Sequence, residues 1–283
     1  MPNDVEGKTM DFSMTKYTDE QEEFRVVVRD WLEENAPLDL RMPEDGRPLS
    51  ADSQELVRKF RRKLGAKGWI APSWPVHMGG AGLSPGMEVI LQEEFRRMKL
   101  PHIGDNRRHV NMMLVWGTEE QKRRWVIPAL RGELLTWQNF GEPGAGADIA
   151  GINTRAVPHG DDYLINGTKA MITGRLDPDY LLTLAVTDPD RPRHYNLGVF
   201  MVDAHLPGVT IGGPTLLVGS ERNIYLDNVL VPGNCLVGGL FQGWEICQTI
   251  LQQERGEVSF RITESGTIDS IQEYLREERN FHQ

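Results

Sequence analysis

The spacing of apolar residues changes near Glu133 and again near Gly243. Before Glu133, hydrophobic side chains recur three and four positions apart, which is the pattern of helices that bury one face. Two threonines followed three positions later by Gln have the form of capping boxes, and a Ser-Pro pair has the form of a helix start. Helices are predicted to begin at Thr18, Ser84 and Thr118, and two more are expected around 56–64 and near 105–115. The chain is therefore predicted to be helical up to Gly132.

From Glu133 the hydrophobic period becomes two, the period of strands with one buried face. Turn-forming residues separate the strands that this period predicts, at 134–140, 153–158, 162–172, 180–187, 196–203 and 222–230. The segment Gly212-Gly213-Pro214 is interpreted as a turn. A helical pattern returns at Gly243, and 268–279 is predicted to be an amphipathic helix. A block of helices followed by a block of strands favours an α+β fold with separate domains.

A loop of small residues follows the first predicted strand, at 140–148, and reads FGEPGAGAD. Because it carries few bulky side chains, its backbone N–H groups can come close to a large anionic ligand. The next segment is predicted to be a hairpin that returns the chain to Met171, Ile172 and Thr173. The alternative interpretation is a plain turn between two strands of a β-sandwich, since glycine-rich turns are common.

Composition and charge narrow the classes of function. The 283 residues are 39% hydrophobic and 25% charged, which is typical of a globular protein large enough for two domains. The net charge of -10 argues against a nucleic-acid surface, which requires a basic face. No apolar run approaches the ~18 residues of a membrane-spanning helix, and the N-terminus has no signal-peptide pattern. No membrane span and a cytoplasmic location are therefore expected.

Other chemistry-bearing residues suggest no additional site. Cys235 and Cys247 lack disulfide and metal-site spacing and are interpreted as buried, small hydrophobic residues. The histidines form no paired arrangement, so no metal site is predicted, and His102 and His109 are interpreted as core or solvated residues. The basic run 58–63 is interpreted as a solvated helix face. Serine-hydrolase and P-loop motifs are absent from the sequence.

Four segments, in their order along the chain, resemble the acyl-CoA dehydrogenase family. They are Gly117 to Lys122 (GTEEQK), Gly141 to Asp148 (GEPGAGAD), Tyr163 to Lys169 (YLINGTK) and Leu226 to Pro232 (LDNVLVP). The resemblance extends from about Tyr17 to the end of the chain. It implies a flexible lead at 1–16, an N-terminal all-helical domain at 17–133, a middle antiparallel β-barrel or sandwich domain at 134–240, and the truncated start of a C-terminal helical bundle at 241–283.

The resemblance implies an FAD-dependent enzyme that removes an α-proton and a β-hydride from an acyl-CoA thioester and passes electrons to an electron-transfer flavoprotein. It also implies a homo- or hetero-oligomer, in which the C-terminal part of one subunit completes the FAD site of another. The positions expected to bind FAD are Gln138, Phe140, Gly141, Gly146, Ala147, Met171 and Thr173. Phosphate groups of FAD or CoA are expected near Gly146 and Ala147, and the acyl-CoA substrate near Ala147 and Arg255.

Glu254 is the candidate catalytic base. The Glu254-Arg255 pair matches the position of the base in the subset of the family that includes isovaleryl-CoA dehydrogenase, on the helix after the middle domain. Such a base requires a partly desolvated carboxylate with a raised pKa. The alternative is a surface helix residue that pairs with a neighbouring charge.

The chain differs from the family pattern at several of these positions. The family often has an aromatic residue at the position of Gln138, Thr or Ser at Gly141, Ser at Ala147 and Trp at Met171. Together with the short C-terminal part, these differences support a second hypothesis, a non-catalytic or half-site subunit of a hetero-oligomer. The acyl group stays open between steroid side-chain, branched and straight-chain substrates.

Overall fold

The computed structural model describes residues 17–37, 48–98, 100, 107–215 and 219–256, with the backbone alone at 107, 108, 214 and 253–256. The predicted flexible lead at 1–16, His102 and the predicted helix at 268–279 lie outside the described residues. The helices are α1 (Asp19–Asn35), α2 (Ala51–Ala66), α3 (Pro85–Arg97), α4 (Arg107–Trp116), α5 (Glu119–Gln121), α6 (Ile127–Leu130) and α7 (Gly243–Gly256). A π-helical turn, Lys122–Val126, joins α5 to α6.

Both predicted capping boxes are confirmed. At the start of α1, the Gln21 N–H donates to Thr18 Oγ1 at 3.2 Å, and the Thr18 N–H donates to Gln21 Oε1 at 2.9 Å. Thr118 and Gln121 repeat this arrangement at the start of α5. Each box satisfies two N–H groups that the helix itself leaves without partners, so the sequence determines these helix starts locally.

The apolar faces of α1, α2 and α3 form one core, which contains Val28, Leu32, Phe60, Leu64, Trp69, Ile70 and Leu91. Beside it, the buried Glu94 of α3 accepts hydrogen bonds from Arg29 at 3.1 Å and from Arg97 at 2.7 Å. Burial alone would raise the pKa of Glu94, but these bonds and the neighbouring arginine charges lower it to about 2. Helix α3 therefore carries a buried carboxylate, Glu94, that the neighbouring arginines keep ionised.

The strands form one sheet. They are β1 (Thr136–Asn139), β2 (Arg155–His159), β3 (Asp162–Thr173), β4 (Tyr180–Val186), β5 (Leu197–Asp203), β6 (Val209–Pro214), β7 (Glu221–Val231) and β8 (Leu236–Val237). Their order in the sheet is β6-β7-β3-β2-β4-β5-β8, and β1 pairs with β4. All six predicted strands are present, and β6 and β8 were not predicted. The interpretation of Gly212-Gly213-Pro214 as a turn is wrong, because these residues belong to β6.

The sheet is mixed rather than wholly antiparallel. The pairs β1–β4 and β2–β4 are parallel, while the other pairs are antiparallel. The β2–β3 hairpin lies between β1 and β4 in the sequence and acts as the crossover that a parallel pair requires. The α+β fold is confirmed, with this correction to the direction of the strands.

Helix α2 connects the helical part of the chain to the sheet. Arg61 is 1% exposed and donates to the carbonyl oxygen of Leu134 at 3.1 Å. Arg58 forms an ion pair with Asp179 at 3.1 Å. The interpretation of the basic run 58–63 as a solvated face is therefore wrong at Arg58 and Arg61, although Lys59, Arg62 and Lys63 are exposed. Along α2, the basic side chains that pack towards the sheet, Arg58 and Arg61, therefore alternate with basic side chains that face solvent.

Helix α7 contacts both α4 and β5. Its buried side chains include Ile246, Cys247 and Ile250, and Trp116 of α4 donates to Thr249 Oγ1 at 3.0 Å. Both cysteines of the chain are free and buried, as predicted. No helix in the described ranges is long and apolar enough to cross a membrane.

Candidate functional site

The glycine-rich loop and the end of β3 lie side by side. After β1 ends at Asn139, the backbone N–H of Ala170 donates to the carbonyl oxygen of Gly141 at 3.0 Å. A Cβ atom at position 141 would lie 3.0 Å from the carbonyl oxygen of Ala170, which is closer than ordinary van der Waals contact. The lack of a side chain at Gly141 therefore allows this close approach. The structure thus brings together the two segments that the resemblance assigned to the flavin.

A β-bulge in β3 turns Met171 outward. The register between β3 and β7 shifts between Lys169 and Ile172, and Met171 has a φ of 57°, in the left-handed region. Its side chain is 58% exposed. Thr173, two positions on, is also exposed, whereas Ile172 between them is buried. The bulge therefore presents one large apolar side chain and one hydroxyl beside the glycine-rich loop.

The loop carries backbone donors that face solvent. Within it, the Ala145 N–H donates to the Glu142 carbonyl oxygen at 3.2 Å, and the Asp148 N–H donates to the Ala145 carbonyl oxygen at 3.0 Å. Among the described residues, none accepts a hydrogen bond from the N–H groups of Gly144, Gly146 or Ala147. Gly146 and Ala147 are exposed, and a Cβ atom added at Gly146 would have no neighbour within 4 Å. Such free amides are suited to bind phosphate oxygens.

Gln138 and Phe140 occupy more enclosed positions. Phe140 is buried, so its side chain belongs to the core, and its carbonyl oxygen accepts a hydrogen bond from Lys169 Nζ at 3.2 Å. Gln138 is half-buried, and its Oε1 has no hydrogen-bond partner within the part of the chain that the structure describes. A buried acceptor without a partner is unusual in a folded protein and marks a place where a donor from another molecule would fit.

An ion pair that sequence reasoning missed lies beneath the loop. Lys169 Nζ is 2.9 Å from Glu142 Oε1, and the side chains of Lys169 and Glu142 are 0% and 5% exposed. Burial lowers the pKa of Lys169 to about 8, although Glu142 favours its charged form. For Glu142, burial would raise the pKa, but the Lys169 charge and hydrogen bonds from Thr154 and Asn153 hold it below its usual value. Glu142 and Lys169 lie in two of the four segments that resemble the acyl-CoA dehydrogenase family. This resemblance was the only signal in the sequence that could have pointed to the pair.

A second missed contact lies at the end of the loop. Asp148 forms an ion pair with Arg193, which belongs to the connection between β4 and β5. Each of the two side chains is half exposed, so this pair is at the surface. In the same connection His194 packs edge-on against Trp244 at 4.4 Å, which links it to the start of α7.

The predicted base and its neighbour belong to α7. Glu254 and Arg255 lie in the last turn of that helix, and their side chains are outside the described residues. The roles of Glu254 as a base and of Arg255 as a substrate contact therefore stay predictions. His109 is buried, as one of its two interpretations expected. Within the described ranges, His, Cys, Asp and Glu side chains form no cluster that could hold a metal ion.

Comparison with known proteins matches both parts of the chain to one family. Residues 18–133 match the model of the acyl-CoA dehydrogenase N-terminal domain, and residues 139–229 match the model of the acyl-CoA dehydrogenase middle domain. The acyl-CoA dehydrogenase IpdE1 of Mycolicibacterium smegmatis is 30% identical over 280 residues, which cover 93% of this chain and 69% of that protein. Against two further relatives, the chain spans 61% and 63% of their length.

Solved structures agree with this assignment. A variant of the Tcur3481-Tcur3483 steroid acyl-CoA dehydrogenase superposes with a TM-score of 0.79 at 28% identity, covering 93% of this chain and 70% of that one. The ChsE4-ChsE5 complex from Mycobacterium tuberculosis gives a TM-score of 0.66 at 27% identity, covering 84% of this chain and 61% of that one. On these matches, the chain belongs to the acyl-CoA dehydrogenase family, through its N-terminal and middle domains.

Proposed function

We propose that this chain takes part in the FAD-dependent α,β-dehydrogenation of an acyl-CoA thioester. The observation that supports this function best is the pairing of the glycine-rich loop with the bulge of β3, where the Ala170 N–H meets the Gly141 carbonyl oxygen. The free amides of the loop, the exposed Met171 and the exposed Thr173 belong to the two segments that this bond joins. These features fit a ligand that combines a flat apolar ring with phosphate groups.

Different residues would bind different parts of FAD. The N–H groups of Gly146 and Ala147 would donate to phosphate oxygens, and the Gly141 N–H and the Thr173 backbone would hold the polar edge of the flavin. Met171 would pack against the ring with its polarizable sulfur. The Oε1 acceptor of Gln138 could take a hydrogen bond from a bound donor. FAD, when bound, would supply the acceptor for the β-hydride.

The proton chemistry would belong to Glu254. Its position on α7 fits a carboxylate that removes the α-proton of the thioester, while Arg255 contacts the substrate. Electrons would leave for an electron-transfer flavoprotein. The cytoplasm would be the location of this reaction. The free, buried Cys235 and Cys247 support a reducing compartment.

A second candidate function is that of a half-site or non-catalytic subunit in a hetero-oligomer. Two observations favour it. The chain carries Gly141, Ala147 and Met171 where the family pattern often has two hydroxyls and an indole. Two similar solved structures, Tcur3481-Tcur3483 and ChsE4-ChsE5, each have two named components. In this case a second dehydrogenase-like chain would complete the site. A homo-oligomer is the corresponding assembly for the first candidate.

The two candidates are separated by titrating the purified chain with FAD, alone and with a second acyl-CoA dehydrogenase chain from the same source. Bound flavin and dye reduction by an acyl-CoA with this chain alone would support the enzyme. Flavin binding that requires the second chain would support the subunit. The absence of bound flavin in both preparations would overturn the proposed function. In an active preparation, unchanged turnover of Glu254→Gln would exclude Glu254 as the base.

A further inference from the structure

Lys169 occupies an inward-facing position of β3 that a hydrophobic residue would normally fill. The side chains of Ile165 on the same strand and Cys247 on α7 are buried as completely. The Lys169 ammonium group nevertheless has two acceptors, Glu142 Oε1 at 2.9 Å and the Phe140 carbonyl oxygen at 3.2 Å. Both acceptors belong to the segment that begins the glycine-rich loop. The ammonium group therefore connects the bulged strand to the start of this loop.

Glu142 closes the loop at its other end. Its Oε2 accepts the backbone N–H of Asn153 at 2.6 Å, and its Oε1 accepts the backbone N–H of Thr154 at 2.9 Å. These partners lie eleven and twelve residues further along the chain, just before β2. One carboxylate thus fixes the exit of the loop, while Lys169 fixes its entrance. The exposed amides of Gly144, Gly146 and Ala147 lie between these two fixed points.

We propose that Glu142 and Lys169 form a clamp that positions the loop amides for a phosphate-bearing flavin. This inference rests on the proposed function for the identity of the ligand. A buried ion pair is a poor source of stability, because the loss of hydration offsets much of the attraction. A well-packed apolar pair would fill the same space without fixing backbone positions. The four short bonds to both ends of one loop point to positioning rather than to stability alone.

Charge at neutral pH is consistent with the clamp. Burial lowers the pKa of Lys169 to about 8, so the ammonium form still predominates near pH 7. The pKa of Glu142 is held below its usual value, chiefly by Lys169 against the effect of burial. Cys247 of α7 lies near Lys169. Burial raises the pKa of the Cys247 thiol to about 12, so this thiol is neutral. Near pH 7 the clamp therefore consists of a positively charged Lys169 and a negatively charged Glu142.

Two variants of the full chain test the clamp. Glu142→Gln leaves Lys169 without its carboxylate, and the double variant Glu142→Gln/Lys169→Met removes both charges while keeping similar side-chain sizes. Glu94→Gln is the control, because Glu94 is also a buried carboxylate with cationic partners, but it lies beside the core of the helical part, away from the loop. Hydrogen exchange of peptide 140–154 is measured in flavin-free protein, and FAD affinity is measured by titration, with the second chain where binding requires it.

The expected result is that both Glu142 variants exchange peptide 140–154 at least roughly tenfold faster and bind FAD roughly tenfold more weakly. Glu94→Gln should leave both quantities at the wild-type value, even where it lowers the melting temperature. Unchanged exchange in the double variant, or equal changes in Glu94→Gln, would overturn the clamp. Faster exchange in both variants, when the wild-type chain binds no FAD either alone or with the second chain, would support the clamp as the element that orders the loop and would overturn the proposed function.

Discussion

Ala170 donates its backbone N–H to the carbonyl oxygen of Gly141 at 3.0 Å, although Ala170 belongs to β3 and Gly141 lies in the loop after β1. This bond brings the glycine-rich loop against the bulge of β3. The glycine at position 141 favours this approach, because a Cβ atom there would lie 3.0 Å from the carbonyl oxygen of Ala170. The free amides of the loop and the exposed Met171 therefore belong to two segments that this bond joins, and each segment can be tested separately.

The loop conformation depends on Gly146, whose φ of 57° lies in the left-handed region. Gly146→Ala is expected to lower the free energy of unfolding by about 1 kcal/mol, because a Cβ atom disfavours this backbone conformation. Gly144→Ala is the matched control, since its φ is outside that region and its Cβ atom would also meet open space. It should change stability by less than about 0.5 kcal/mol.

Urea unfolding of the flavin-free chain measures both variants under the same conditions. Equal losses for the two alanines would show that backbone strain at Gly146 is not the cause.

Met171 is predicted to act on binding and not on stability. Because its side chain is 58% exposed, Met171→Ala should change the free energy of unfolding by less than about 0.5 kcal/mol. Losing its contact with the flavin ring should weaken FAD binding by about 1 kcal/mol, or roughly fivefold in Kd. The quenching of FAD fluorescence on binding measures this change.

Val157→Ala provides the control for Met171. Val157 is a similarly exposed apolar residue of β2, and it pairs with Leu164 near the opposite end of β3. Its replacement should leave FAD affinity unchanged. If Met171→Ala also leaves affinity unchanged, Met171 does not contact the flavin.

Sequence patterns predicted the features that depend on neighbours along the chain. The capping boxes at Thr18 and Thr118 are of this kind, because their donors and acceptors lie three residues apart. The glycine-rich loop was recognised from its run of small residues, whereas the contacts that hold it come from residues 11 to 29 positions away. The strand β6 was missed because it is an edge strand, where glycine and a terminal proline are tolerated without breaking the ladder.

Buried charges were missed for a different reason. Arg61 was interpreted as part of a solvated helix face, and nothing in the sequence marked Lys169 as buried, since Lys and Arg are almost never fully buried unless they have partners. Their partners, the Leu134 carbonyl oxygen and the Glu142 carboxylate, come from distant segments that only the fold brings together. Charge patterns alone therefore placed Arg61 on the wrong side of α2 and left the burial of Lys169 unpredicted.

The burial of Arg61 leads to a direct test of the contact between α2 and the sheet. Arg61→Ala should lower the free energy of unfolding by about 2 to 4 kcal/mol, because it leaves a cavity and removes the hydrogen bond to the Leu134 carbonyl oxygen. The neighbouring Arg62 is exposed, so Arg62→Ala should stay within about 0.5 kcal/mol of wild type. Chemical denaturation of both variants measures the difference, and similar values would contradict the buried role of Arg61.

Lys169 predicts a specific pH dependence of stability. Burial lowers its pKa to about 8 in the folded chain, against 10.5 for an ordinary lysine. Between these two values the unfolded chain holds more protons at this residue than the folded chain does, so its contribution to stability rises with pH across that window. Lys169→Met removes the contribution, so the free energy of unfolding of wild type minus that of the variant should increase from pH 8 to 10.5.

The double variant with Glu142→Gln replaces Lys169→Met if the single variant does not fold. Lys59→Met, which removes an exposed lysine of α2, is the control and should give no such increase. A flat difference for Lys169→Met would mean that the folded chain does not lower the pKa of Lys169.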